Sequence, residues 1–170
     1  VDQCLHTIYP EPGDCIFIPA GTVHALGAGL LIAEIQQASN TTFRLFDWNR
    51  TGPDGKPREL HVQQSLEVSD YTNGPRPIQI AQATSEKGRE RLVCCDKFTL
   101  DRISGSAQQV SLAGDGRFHF ITAPEGGAVI EGAAFQETLI TGQSLLLPAA
   151  LGSCIAKLDP NAVLLDMYVE

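Results

Sequence analysis

His24 is the first residue of this sequence that offers chemistry. It closes the stretch Gly13-Asp14-Cys15-Ile16-Phe17-Ile18-Pro19-Ala20-Gly21-Thr22-Val23-His24-Ala25-Leu26-Gly27. A turn dipeptide opens a short apolar run, Pro19 ends it, and a glycine-containing turn leads to the histidine. That punctuation predicts strand, tight turn, strand, with His24 at or near the start of the second strand. A neutral imidazole on a rigid β scaffold is a good ligand for a divalent metal. By spacing alone, a histidine that only satisfies its own hydrogen bonds at a strand end is an equal reading.

The elements that must hold such a residue read as β. Residues 15–19, 23–26, 29–37 and 42–47 are apolar or β-branched runs separated by Gly, Ser and Asn, a spacing that suits an antiparallel barrel or sandwich. The turn-rich segment Asn49–Pro57 is a loop. Residues 59–68 place Leu60, Gln63, Gln64, Leu66 and Glu67 at helical spacing and predict one short helix. Thr72-Asn73-Gly74-Pro75-Arg76-Pro77 then reads as a linker. Beyond it, residues 91–95, 98–103, 108–112, 118–123, 128–130, 137–140, 144–147, 153–156 and 162–168 all read as strands between glycine-rich turns, enough for a complete small barrel.

The two regions are related by an internal repeat. Gly142-Gln143-Ser144-Leu145-Leu146-Leu147-Pro148-Ala149 matches Gly13-Asp14-Cys15-Ile16-Phe17-Ile18-Pro19-Ala20 in residue class along its length. Five positions beyond the proline stands His24 in the first copy and Ser153 in the second. The repeat predicts two related barrels, over residues 1–75 and 76–170, the first equipped for chemistry and the second not.

Composition narrows the function. A hydrophobic content of 43% and a charged content of 19% support a packed core over general disorder. The net charge of −8 and the lack of a basic run argue against nucleic acid as a partner, although a few converging arginines can still bind an anionic sugar phosphate. No apolar run approaches the ~18 residues that span a bilayer, so no membrane partner is expected. Cys4, Cys15, Cys94, Cys95 and Cys154 are odd in number and irregular in spacing, and three of them lie in apolar stretches as small core residues, which fits a structural role in a reducing cytoplasm better than a metal or redox one. Val1 is not an initiator methionine, and we expect the chain to be processed or to be the C-terminal part of a longer protein.

The Gly13–His24 block, G-D-x-x-x-x-P-A-G-x-x-H, resembles the second conserved motif of cupins, the small metal-binding β-barrels. Its continuation, from Leu30-Leu31-Ile32-Ala33-Glu34-Ile35-Gln36-Gln37 through Thr42-Phe43-Arg44-Leu45-Phe46-Asp47-Trp48-Asn49-Arg50, resembles type I mannose-6-phosphate isomerase in its short bacterial form. The likeness covers residues 13–68 strongly, and 78–170 fits that family's second, metal-free barrel. It implies an all-β fold of cupin-like jelly-roll barrels: part of a metal-site barrel, one short helix, and a complete degenerate barrel. It also implies one zinc, held by a glutamine and a histidine close together, a glutamate, and a final histidine. His24 matches that last ligand. Glu34 and Arg44, ten residues apart, match the family's glutamate and arginine. No Gln-x-His pair occurs in the chain, and the resemblance places the first three ligands upstream of Val1.

These residue types suit aldose–ketose isomerisation, which moves a proton between C1 and C2 through an enediol(ate). A cation polarises sugar oxygens and stabilises developing negative charge. A carboxylate such as Glu34 orients water or takes part in proton transfer. Arg44 offers a planar, permanently charged fork to a phosphate or enediolate oxygen. The reading is therefore a zinc-dependent isomerase interconverting mannose 6-phosphate and fructose 6-phosphate, with only part of the site on this chain. The alternative is a non-catalytic cupin module that binds sugar or protein, or dimerises. His6, His61 and His119 read as structural, His61 facing solvent, and Trp48 reads as a core residue at a strand end. Residues 15–47, if part of an open barrel, expose strand edges that a second copy would cover, which predicts a homodimer.

Overall fold

The computed structural model describes residues 2–39 and 41–169. Val1, Glu170 and Asn40, the last within the stretch that carries the resemblance, lie outside the described residues. The chain divides into two units, Val1–Ile78 and Gln79–Glu170.

The second unit is built from short alternating segments. Its strands are β1 (Gln82–Ala83), β2 (Arg89–Cys94), β3 (Thr99–Ser104), β4 (Gln109–Leu112), β5 (His119–Glu125), β6 (Gly127–Glu131), β7 (Gln136–Ile140), β8 (Ser144–Leu147), β9 (Cys154–Leu158) and β10 (Val163–Tyr168). All pairings are antiparallel, in a six-stranded sheet of order β1-β2-β3-β10-β5-β8 and a four-stranded sheet of order β4-β9-β6-β7. Alternation with period two turns one face of each sheet inward. In β9, Cys154, Ala156 and Leu158 are buried while Ile155 and Lys157 are exposed. Ile103, Ile121, Leu147 and Leu164 from one sheet meet Val110, Leu112, Ile130, Leu139 and Ala156 from the other as a single core. The nine longer strands coincide with the nine segments expected here, with ends shifted by one or two residues.

The interior of this unit grades from apolar to charged along the strands. Register places Leu164 opposite Ile103 in one row, Asp166 opposite both Asp101 and Ile121 in the next, and Tyr168 opposite both Thr99 and His119 in the third. Asp101 therefore shares an inward face with Ile103, and Asp166 with Leu164.

The first unit corrects the expectation of strands at 15–19, 23–26, 29–37 and 42–47. Among its described residues β pairing amounts to two isolated bridges, Ile16 with Ile78 and Thr51 with Pro57. A strand exists only as one line of a hydrogen-bonded ladder, and residue preference cannot supply the neighbouring line. The copy of the repeat that has a neighbour, β8 against β5, is a regular strand. The predicted helix is present as α1 (Val62–Val68) but begins three residues later than expected. Ahead of it, the His61 N–H donates to the Arg44 carbonyl at 2.8 Å, which holds this stretch out of the helix. Among the described residues no helix is long and apolar enough to cross a membrane.

Two further expectations are corrected. Only Cys154 of the five cysteines is buried; Cys4 and Cys94 are exposed, Cys15 and Cys95 half-buried, and none of the five forms a disulfide. Trp48 is 42% exposed rather than core, with its ring edge-on to Phe46 at 5.1 Å and the Arg50 guanidinium 5.9 Å over its face.

Candidate functional site

His24 is carried by a tight turn. The Thr22 N–H donates to the Pro19 carbonyl at 3.2 Å, and the Gly21 carbonyl accepts from the Asp70 N–H at 2.8 Å, which seats the turn just beyond α1. Gly21 has φ +82°, and a Cβ there would stand 2.8 Å from the Val68 carbonyl oxygen, so the position excludes a side chain twice over. Two residues on, His24 Nδ1 donates to the Thr22 carbonyl at 2.8 Å. A carbonyl only accepts, so the proton sits on Nδ1 and the lone pair of a neutral ring sits on Nε2. The ring itself is exposed. A carbonyl that fixes one ring nitrogen as donor leaves the lone pair on the other.

Glu34 is also exposed, and its Oε1 accepts from Gln36 Nε2 at 2.5 Å. Arg44 is half-buried and more firmly placed. Its backbone is joined to His61 twice: the Arg44 carbonyl accepts the His61 N–H, and His61 Nδ1 accepts the Arg44 N–H at 3.2 Å. Its side chain donates from Nη1 to the Glu59 carbonyl at 3.1 Å, and its Nε lies 3.8 Å from Asp47 Oδ1. Asp47 is buried, with both carboxylate oxygens gripped by Arg58: Nε donates to Oδ2 at 2.7 Å and Nη2 to Oδ1. The hydrogen bonds from Arg58 hold the Asp47 carboxyl below its ordinary range, and the charges of Arg58 and Arg44 add to that effect.

The structure thus gathers Arg44, Asp47, Arg58, Glu59 and His61. Among the described residues no hydrogen bond or ion pair joins His24, Glu34 and Arg44 to one another, and no group of three His, Cys, Asp or Glu side chains could hold a metal ion. His24, expected as a ligand, stands outside any such group among the described residues. One imidazole is too few, because protein zinc sites use three or four protein ligands.

The second unit contains an open polar cleft of about 300 Å³ at the charged end of its interior. Arg89 Nη1 bridges Asp166 at 2.6 Å and Asp101 at 3.2 Å, its Nε donates to Glu86 at 2.8 Å, and its Nη2 donates to the Ser111 carbonyl at 2.9 Å. Arg91 pairs with Asp101 and donates to the Tyr168 hydroxyl at 2.8 Å, which in turn donates to Asp101 at 3.0 Å. His119 is buried between two carboxylates: Nδ1 lies 2.8 Å from Asp166 and Nε2 3.2 Å from Asp115. Each contact is a hydrogen bond only when its nitrogen carries a proton, which favours the charged ring. Burial opposes that charge, but Asp166 and Asp115 outweigh it and raise the His119 pKa. Burial also pushes Asp115 up, yet Arg117 and His119 bring it down to about 2. Tyr168 is pushed up to about 12, first by burial and then by Asp101. The charged groups of this cleft are engaged with one another.

The relatives of the chain have a consistent identity. It is 37% identical over 155 residues to the mannose-6-phosphate isomerase ManA of Bacillus subtilis (strain 168), covering 89% of this chain and 48% of that protein. It is 34% identical over 157 residues to the mannose-6-phosphate isomerase of Streptococcus mutans, again covering 89% of this chain and 48% of the relative. The chain is similar, over most of its length, to proteins named mannose-6-phosphate isomerase. It spans about half the length of the curated relatives it matches. No family model matches it. In fold it is similar to the crystal structure of mannose 6-phosphate isomerase from Bacillus subtilis, with a TM-score of 0.66 over 77% of this chain and 41% of that one, at 21% identity. A mannose 6-phosphate isomerase structure in apo form from Salmonella typhimurium gives a TM-score of 0.55 over 68% of this chain and 29% of that one, at 15% identity. The all-β, cupin-like class with one short helix expected from the sequence is the fold observed.

Sequence reasoning missed three of the residues gathered around Arg44. Asp47 entered only as part of a motif, Arg58 not at all, and His61 as a structural, solvent-facing residue. His61 is instead half-buried at the cap position before α1. The available signal was the Arg58-Glu59-Leu60-His61 run ahead of the helix, which mixes charge, apolar and imidazole in four positions.

Proposed function

We propose that this chain carries part of the site of a zinc-dependent aldose–ketose isomerase that interconverts mannose 6-phosphate and fructose 6-phosphate. The carrying observation is the family relationship combined with His24 on its turn, Nδ1 fixed as donor and Nε2 directed away from it. His24 is one metal ligand, and the others come from residues outside this segment. A bound divalent cation supplies charge stabilisation at the sugar oxygens. Glu34 is the group that takes part in proton transfer between C1 and C2, directly or through water. Arg44, with a side chain 27% exposed, presents the outer part of its fork to an anionic oxygen of substrate or enediolate.

The two domains of this reading are residues 1–75, part of the catalytic barrel, and 76–170, a metal-free jelly roll. Leu26, Leu30, Leu31 and Ile32 stand exposed, Leu31 fully so, which supports their cover by further protein: the rest of a barrel or a second copy of the chain. The five free thiols support a reducing compartment, the cytoplasm.

The test is a coupled isomerase assay on the full-length protein together with elemental analysis of its metal. Zinc at one per site and loss of both zinc and activity on His24→Ala are expected. Retained activity in His24→Ala overturns the assignment. In sedimentation, the 170-residue chain is expected to run as a dimer or larger species; a monomer removes the dimer from the reading.

A further inference from the structure

We propose that Asp47 is a positioning residue which, clamped by Arg58, sets the direction of the Arg44 guanidinium. The inference rests on the reading that Arg44 serves the isomerase reaction.

Among its described residues the first unit leaves most side chains exposed, and Asp47 is one of two buried polar residues there, 7% exposed. A buried carboxylate needs partners for its oxygens, and Arg58 occupies both in a two-point grip. That grip fixes the carboxylate's plane as well as its place. Arg44 leans on the fixed group from three residues earlier, its Nε 3.8 Å from Oδ1, while its Nη1 is held by the Glu59 carbonyl. Glu59 is the residue after Arg58, and His61, two further on, joins the Arg44 backbone at both its N–H and its carbonyl. The run from Arg58 to His61 therefore holds Arg44 at its main chain and at its Nη1, while Asp47, fixed by Arg58, faces its Nε as an ion-pair partner at 3.8 Å.

A purely structural ion pair is complete with Asp47 and Arg58 and has no use for Arg44. The third member is held on one side and half-open on the other, which is the arrangement of a charge kept in one rotamer for a ligand that arrives later. An arginine left to search its rotamers reaches a developing anion late, and a displacement of about 1 Å is enough to reduce turnover by up to 10²-fold.

The experiment is a double-mutant cycle in kcat and KM on the full-length enzyme, with Asp47→Asn, Arg44→Lys and the pair. Asp47→Asn keeps the volume and removes the charge. It is expected to lower kcat by about 10- to 100-fold with KM within about 3-fold. In the Arg44→Lys background the same change is expected to move kcat by less than about 3-fold, because the group it positions is gone. Circular dichroism and the melting midpoint report folding alongside. If Asp47→Asn does not fold, Arg58→Lys, which keeps the charge but not the two-point grip, runs the same cycle with the same outcomes. A kcat within 3-fold of wild type in Asp47→Asn, or an equal loss with and without Arg44, overturns the proposal. Full activity in Arg44→Lys overturns the isomerase role of Arg44, and with it this inference. That result is separate from an Arg44 whose loss is severe while Asp47 proves indifferent, which sinks the positioning role alone.

Discussion

The two copies of one turn show what separates a residue available for chemistry from one committed to the fold. In both, a glycine at positive φ opens the segment, Gly13 at +94° and Gly142 at +83°. In both, an N–H three residues beyond the proline donates to its carbonyl, Thr22 to Pro19 at 3.2 Å and Leu151 to Pro148 at 3.0 Å. The first copy ends in the exposed His24, whose Nε2 has no bond assigned to it in the turn. The second ends in Ser153, next to β9 and against the Gly114 loop, where a Cβ on Gly114 would stand 2.2 Å from the serine oxygen. The surroundings differ in the same way. The second unit has acids, arginines and a histidine as well, but Arg89, Arg91, Asp101, Asp166 and His119 satisfy one another inside the barrel. A chemically suggestive composition therefore does not make a site. What matters is whether a group still has a lone pair or a donor to offer once the fold has taken its share.

The sharpest way to break this comparison is to exchange roles at the end of the turn. On the proposed function, His24→Ala in the full-length protein is expected to lower kcat/KM by at least about 10²-fold. Ser153→Ala is expected to leave it within about 2-fold. Equal effects at the two positions would show that the copies do not differ in function. A second attack is on the satisfied network. Asp166→Asn leaves Arg89 and His119 short of a buried counter-charge, which typically costs about 3–5 kcal/mol of stability. Urea unfolding should show this as a lower midpoint, while the folded enzyme keeps its kcat.

A smaller effect separates the two glycine-containing turns. Gly21→Ala meets both the positive φ and the Val68 carbonyl 2.8 Å away, whereas Gly152→Ala meets only its φ of +79°, with open space around it. The first is expected to cost about 2 kcal/mol or more and the second about 1, measured as shifts in thermal midpoint. The smallest is a pH effect. The pKa of His119 is raised in the fold, so its contribution to stability is fully present below the ordinary histidine value of about 6.5 and is lost as pH rises through the higher folded value. The melting midpoint should fall by a few degrees between about pH 6 and pH 9, and His119→Gln should flatten that slope. Asp115 acts in the opposite sense, its contribution present above about 3.8 and lost only as pH falls through about 2. A midpoint that is level from pH 6 to 9 in the wild-type protein would show that the buried ring is neutral.

Legibility was uneven for local reasons. The second unit's strands could be read because each carries its own inward and outward alternation, as in the exposed and buried residues of β4 and β9. The same kind of apolar run at residues 29–37 forms no strand among the described residues, since nothing in a run states whether a neighbouring ladder is present. Helix α1 was visible from its period, but its start was not, because the backbone of Arg44 competes for His61 across seventeen positions. His24, Glu34 and Arg44 could be picked out from their motifs. Asp47 and Arg58 could not be ranked beside them, since a charge between aromatic residues and a charge in a loop look alike until burial separates them.

The order of residues alone determined what is local: the turn that carries His24, the glycine that the turn requires, the strand alternation of residues 89–168, and the kinship with mannose-6-phosphate isomerases. Tertiary structure decided which charges are engaged with one another, that Arg58 reaches back to Asp47 and Asp47 to Arg44, and that His119 is buried between two acids. The physical reason is range. Backbone dihedrals and side-chain period act over a few positions, whereas hydrogen-bond satisfaction and burial depend on which distant segments the fold brings together.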